Sequence, residues 1–182
     1  ANRADHTILI APETDGALTE RVKWTLAAGG QLLGPGHQIT ALTTDKHQLA
    51  KHLVAAGVPV PKGVAVAAGS RLPHDFHYPA VLKPRDGAGS QQMHLLGHAD
   101  PEMHVSFAAR LEEHVEGQPI SVGVLGGPGG ITTLPACRQL ISQDGKFTYL
   151  GGSLPLSEQQ ADRGERLAMR AANACGDFRG YM

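Results

Sequence analysis

Residues 80–92, AVLKPRDGAGSQQ, constrain this chain more than any other stretch. A short apolar run ends on Lys83, and a loop containing Gly87, Gly89 and Ser90 follows at once. Such a run between turn residues reads as a buried strand. Two loop positions without a β-carbon let backbone N–H groups come close to phosphate oxygens, and a lysine at the strand end adds a point charge. The pattern points to a nucleotide-phosphate site, and its alternative is a solvent-exposed hairpin turn with a surface lysine. It is not a Walker A loop, because GxxxxGK[ST] is absent, and GAGSQQ lacks the third glycine of a dinucleotide fingerprint.

The surrounding runs are short as well. Residues 61–97 hold GVAVAA, YPAVLKP and MHLLG, separated by glycine and polar residues, which predicts antiparallel strands in a small sheet lobe. Residues 110–125 alternate well enough for two strands meeting near Gly117, with Pro119 as an interruption. Residues 131–142 and 146–152 are further strand candidates around QDGK, where Asp144 and Gly145 have hairpin-turn chemistry.

Towards the N-terminus, residues 6–11 (HTILIA) read as a buried strand that ends in the turn residues PETDG. Residues 16–29 carry Leu18, Val22 and Leu26 at i, i+4 and i+8 before Gly29 and Gly30, a helix with a glycine stop. Strand, loop and helix in succession suggest a Rossmann-like α/β unit. A second helix begins at Thr44 or Asp45: Asp45 can cap it, Gln48 follows three residues later, Leu49 and Leu53 form its apolar stripe, and Gly57 and Pro59 end it. A final helix runs from about 158 to 175.

At 182 residues the chain fits one domain of the usual ~100 to 200, and two small lobes fit equally. Composition excludes some partners. With 16 basic against 17 acidic residues there is no cationic excess for a phosphate backbone, and one Trp, three Tyr and four Phe leave few platforms for stacked bases, so nucleic acid is not expected. No apolar stretch reaches the ~18 residues of a membrane span, and ANRADH lacks a signal pattern, so the expectation is a soluble cytoplasmic protein. Cys137 and Cys175 form no CxxC pair and read as buried thiols. His94 and His98 have the i, i+4 spacing of a metal pair and His74 and His77 form a second close pair, but GSQQMHLLGH reads as a loop entering a strand and no glutamate follows His94 as in HExxH.

Lys46 falls in the first turn of its helix, where the macrodipole disfavours a cation by a few tenths of a kcal/mol unless an anion is near. Together, TDKHQLAKHLVAAGVPVP, AVLKPRDGAGS and the strand EEHVEG from Glu112 to Gly117 resemble the ATP-grasp superfamily. Its members carry a lysine near a helix start, a "gip.P" turn, a strand-borne lysine with a glycine-rich loop, and then an acidic strand, in this order.

The resemblance implies an α/β (α+β) fold of ATP-grasp type. Residues 1–43 would be the remainder of a Rossmann-like lobe, 44–117 the small lobe with a glycine-rich lid, and 118–182 the start of a C-terminal catalytic lobe. It implies that Lys46 and Lys83 bind ATP phosphates, that Gly87, Ala88, Gly89, Ser90 and Gln91 form the lid, and that Glu112 with the backbone of His114 and Val115 holds the adenine edge. Taken alone, Glu112 and Glu113 would read as a solvated strand face. The family often holds the ribose with an acidic residue just past the glycine, a position taken here by Pro119, with Gln118 and Glu116 beside it.

PETDG, the KPRDGAGS loop, CRQLI and YLGG look most like the ligase subgroup that includes tyramine-glutamate ligase. There Arg138 would contact an anionic substrate or acyl phosphate, with Gln139 and Tyr149 on the acceptor side; the alternative for all three is ordinary hairpin residues. The implied chemistry is a carboxylate activated as an acyl phosphate for attack by an amine, with ATP and Mg2+, small-molecule carboxylate and amine partners, and a homodimer among the assemblies allowed. The family's magnesium ligands would lie beyond residue 182, since Asp177 and Glu165 belong to the last helix or its exit. No metal ligand is expected within the chain, which would hold ATP yet be catalytically incomplete. A non-catalytic nucleotide-binding or sensing module is the alternative.

Overall fold

The computed structural model describes residues 4–100 and 102–182. A turn of 3-10 helix at Thr14–Gly16 leads into α1 (Ala17–Ala27), α2 (His37–Thr44) and α3 (Lys46–Ala55). Four strands follow: β1 (Gly63–Val66), β2 (Ala80–Pro84), β3 (His94–Leu96) and β4 (Ala109–Glu113). The rest comprises β5 (Ile120–Ser121), β6 (Val124–Gly127), β7 (Gly130–Thr133), β8 (Cys137–Ile141), β9 (Tyr149–Ser153), α4 (Glu158–Cys175) and β10 (Gly180–Tyr181).

The first sheet has the order β1-β4-β2-β3 and is antiparallel throughout. Its register sorts the side chains. Leu82 pairs with Leu111, whereas Val81 pairs with Glu112 and Lys83 with Arg110. Because side chains alternate across a pleat, Ala80, Leu82, Ala109 and Leu111 share one face and Val81, Lys83, Arg110 and Glu112 the other. The first face is core: Leu82 is 1% exposed and Leu111 0%, packed with Val66, Leu72 and Val105 and flanked by Phe76, Tyr78 and Phe107. The second face carries the charges.

A second core joins Val124, Ala172 and Phe178 to Ile39 of α2. It lies among α4 and the sheet β10-β6-β7, next to the sheet β5-β8-β9. Helix α4 comes close to β5 because residue 164 is glycine: a Cβ there would stand 2.5 Å from Ile120 Cδ1. Among the described residues no helix is long and apolar enough to cross a membrane.

Several sequence expectations need correction. Residues 6–11 do not form a buried strand; one parallel bridge joins Thr7 to Leu32, and Ile8 and Ile10 are 68% and 96% exposed. Strand propensity without a partner ladder leaves the run largely unpaired. Helix α2 was not expected, because HQITALTT is rich in β-branched residues of low helix propensity. It forms nonetheless: Thr43 and Thr44 hydroxyls donate to the carbonyls of Ile39 and Thr40 at 2.9 and 2.8 Å, and burial of Ile39 supplies the stabilisation that propensity lacks.

The strands around Gly117 belong to different sheets, since β4 lies in the first and β5 and β6 in the other two. The QDGK turn is a seven-residue loop, 142–148, rather than a two-residue hairpin turn. Asp144 Oδ1 accepts from Lys146 N at 3.0 Å and from Ser142 Oγ at 2.6 Å, and Gly145 takes a φ of +79°.

Helix α3 starts where Asp45 permits. Its Oδ1 accepts from the amides of His47 and Gln48 at 2.9 and 3.0 Å, and its carboxylate also pairs with Arg85 just after β2. Burial pushes the Asp45 carboxyl up, but Arg85 and those two amides outweigh it and hold the group below its usual value. A carboxylate depressed in the folded state contributes stability that is complete above its unfolded value and is lost as pH falls through the folded value. Asp45→Ala should cost about 2 kcal/mol at neutral pH, combining a lost cap with a partly exposed ion pair. Chemical denaturation checks this, and Asp45→Asn, which can still cap, should recover part of the loss.

Candidate functional site

The loop after β2 bends because its backbone is left-handed at four positions: Gly87 (φ +80°), Gly89 (+75°), Ser90 (+58°) and Gln92 (+55°). Glycine adopts this region freely. Ser90 and Gln92 do so at a cost of order 1 kcal/mol each, the kind of strain that concentrates at ligand-binding loops. Left-handed backbone in a glycine-rich loop is a common element of anion-binding concavities built from main-chain N–H groups.

This loop roofs a hollow of about 170 Å³ lined by Lys46, Lys83, Gly87, Ala88, Gly89, Ser90 and Gln91, with Thr14 and Phe107 closing it. Lys46 Nζ donates to Gly87 O at 2.5 Å, and the loop is latched from the other side by Asp15 N donating to Asp86 Oδ2 at 3.0 Å. Burial, and secondarily the neighbouring Lys83, hold the Lys46 ammonium below its ordinary value, against partial compensation from Glu13, Asp86 and Asp45. A cation kept in such a place is one that an anionic ligand would stabilise.

A second, wider hollow of about 840 Å³ adjoins the first, with Met93 lining both. Glu112, His114, Val115, Glu116, Gln118 and Pro119 form one wall, and Arg138 and Gln139 of β8 another. The His114 ring lies 6.2 Å from that of Phe147, which lines the same space. Lys83 bridges the hollows by pairing with Glu112 Oε1, while Arg110 Nε holds Oε2 at 2.8 Å. Lys46, Lys83 and the 87–91 loop therefore line the small hollow, and Glu112, His114, Val115, Arg138 and Gln139 the wider one beside it, with the Lys83–Glu112 pair linking the two linings. Tyr149 stands apart, 58% exposed and outside the lining of either hollow. A hollow of similar volume, about 850 Å³, lies elsewhere between residues 30–36 and 177–179, away from the lysine pair.

Sequence reasoning missed Arg110, Arg85, Thr14 and Phe147. For Arg110 a signal existed: two residues before Glu112 on a strand, it had to share Glu112's face. Arg85 lies within the 80–92 segment, but its partner Asp45 is 40 residues away; Thr14 and Phe147 come from distant segments, and nothing local announces them.

Arg110 is also placed against His47, with Nη1 3.1 Å from His47 Nδ1. That contact needs a neutral imidazole as acceptor. Burial first, then Arg110 and Arg85, lower the His47 value from 6.5. The stability this provides is complete above the unfolded value and is lost as pH falls through the folded one. Thermal melts between about pH 7.5 and about pH 5 should show a smaller fall in Tm for His47→Gln, which accepts without titrating, than for the wild type; equal falls would contradict this role.

Comparison with known proteins bears on what this space is. The family model for an ATP-grasp domain matches residues 43–182. A D-alanine–D-alanine ligase from Methylibium petroleiphilum is 27% identical over 130 residues, which is 64% of this chain and 40% of that protein. An ATP-grasp superfamily protein from Archaeoglobus fulgidus superposes with a TM-score of 0.76 at 26% identity, over 98% of this chain and 52% of that one. A D-Ala:D-Ser ligase from Enterococcus faecalis shares the fold, with a TM-score of 0.77 at 18% identity over 99% of this chain and 58% of its own. The chain thus spans about half the length of the proteins it matches, or less.

Proposed function

The chain belongs to the ATP-grasp domain family, and from that premise we propose that the lysine-lined hollow takes the phosphates of ATP in a protein that is an ATP-dependent ligase. The supporting observation is the convergence of Lys46, Lys83 and the left-handed 87–92 loop on one space that Glu112 joins to a wider hollow. Lys46 and Lys83 neutralise the triphosphate, the loop amides cradle it, and Glu112 with the backbone at His114 and Val115 receives the adenine edge. Residues 44–117 act as the nucleotide-binding lobe, with residues 1–43 the remainder of a Rossmann-like lobe and residues 118–182 contributing the opposite wall. The compartment is the ATP-rich cytoplasm.

In the reaction we propose, a substrate carboxylate oxygen attacks the γ-phosphorus and ADP departs. An amine then attacks the acyl carbon of the resulting acyl phosphate, losing its proton, and inorganic phosphate leaves. Little covalent work falls to the protein, so positioning and charge neutralisation carry the rate. Arg138, which lines the same wider hollow as Glu112, would meet the anionic substrate or acyl phosphate. Magnesium would normally share this charge. Among the described residues, however, no three His, Cys, Asp or Glu side chains lie together as a metal site, so no step is assigned to a metal held by them.

The test is coupled detection of ADP while the protein is offered ATP with small carboxylates and amines. ADP formation that requires both partners supports the ligase. ATP binding with no turnover across a broad panel favours a nucleotide-sensing module. Pro119 speaks for that alternative, because it lines the wall where the resemblance leads one to expect an acidic ribose ligand.

A further inference from the structure

We propose that Arg110 is a positioning residue: the fixed counter-ion of Glu112, whose presence releases Lys83 to the nucleotide phosphates. This rests on the ATP reading above. Glu112 holds two cations, one on each oxygen, Lys83 on Oε1 and Arg110 on Oε2. The two cations pair directly across the β2–β4 ladder, where like charges repel, so the carboxylate between them neutralises an otherwise unfavourable pair.

Their attachments differ. Arg110 has a side chain 4% exposed and is held from three directions: Nε to Glu112 at 2.8 Å, Nη2 to Pro61 O at 2.8 Å, and Nη1 against His47 Nδ1 at 3.1 Å. Residue 63 is glycine where a Cβ would stand 2.7 Å from Arg110 Nη2, so the guanidinium fills space that a side chain would need. Lys83 is anchored differently. Its side chain is 19% exposed, it borders the small hollow under the 87–92 loop, and Glu112 is its one side-chain partner among the described residues.

Movement of Lys83 towards an anion therefore leaves Glu112 with Arg110. Without Arg110, the same movement would strip a carboxylate that is only 12% exposed of its last counter-charge. Lys83 would then stay with Glu112 and contribute little to phosphate binding. The contribution of Lys83 to ATP affinity is thus conditional on Arg110.

A double-mutant cycle read by equilibrium ATP titration tests this. Lys83→Met should weaken ATP binding by about 10- to 100-fold in the wild-type background, the loss of a charged hydrogen bond, and by less than about threefold beside Arg110→Met. Arg110→Lys should restore the full Lys83 effect. Adding Glu112→Gln to Arg110→Met should also restore it, because an amide needs no counter-ion, an outcome that a merely structural role for Arg110 would not produce. Should Arg110→Met not fold, Arg110→Gln keeps donors without charge and carries the same expectation. An undiminished Lys83 effect in the Arg110 variant overturns the inference alone, whereas wild-type protein that binds no ATP overturns the nucleotide reading and the inference with it.

Discussion

Lys46→Met is expected to weaken ATP binding by about 10- to 100-fold while leaving the melting temperature of the nucleotide-free protein unchanged or raised. The two effects have opposite causes. The ammonium is partly buried, close to Lys83 and at the start of α3, where the helix dipole opposes a cation, and burial and Lys83 together hold its value below the ordinary one. For a lysine depressed in this way, the cost of the buried charge is fully present below the folded value and fades as pH rises towards 10.5. At neutral pH, methionine removes that cost along with the hydrogen bond to Gly87 O. With ATP present the balance reverses, because the triphosphate is what the charge serves. Titration and thermal melts of the same variant check both halves; a parallel loss of affinity and stability would identify Lys46 as a structural residue. Such a trade of stability for binding is common where a site must hold charge ready for a ligand.

Leu82→Ala is expected to destabilise the protein by about 3 to 4 kcal/mol, and to lower Tm by about 10 °C. Leu82 is 1% exposed, opposite Leu111 in the β2–β4 register, in the centre of the first core. The next residue along the strand is Lys83, and Glu112 follows Leu111, so the packing that fixes the core face also fixes the charged face behind it. The substitution should therefore weaken ATP binding as well, although neither leucine lines either hollow. Denaturant unfolding measures the first effect. A loss below about 1 kcal/mol would mean that the site collapses around the smaller side chain and that the account of this core is wrong.

The parts of the molecule that could be read from its sequence are those built by local rules. Asp45 before an apolar stripe announced α3, the pattern over 158–175 announced α4, and the short glycine-bounded runs announced the antiparallel sheet. The strand ending on Lys83 and the glycine-rich loop after it were legible from the apolar run and its turn residues, whereas a surface hairpin remained an equal reading of the same residues until the order of the three segments was taken together. What escaped depends on contacts between distant segments. Helix α2 forms because Ile39 is buried against Val124 and Phe178, residues far along the chain. Residues 6–11 fail as a strand because, among the described residues, a run of suitable propensity meets a single bridging partner, Leu32. The Asp15 latch on Asp86 spans 71 residues and the His47 contact with Arg110 spans 63, separations that no periodicity encodes.

Calorimetric titration of the protein with ATP, beside GTP and beside the Lys46→Met/Lys83→Met double variant, decides whether Lys46 and Lys83 make one phosphate site in the space that Glu112 borders. Saturable ATP binding, weaker GTP binding, and no measurable binding by the double variant are the predicted result. Equal ATP affinity in wild type and double variant, or no ATP binding by the wild type, would contradict it.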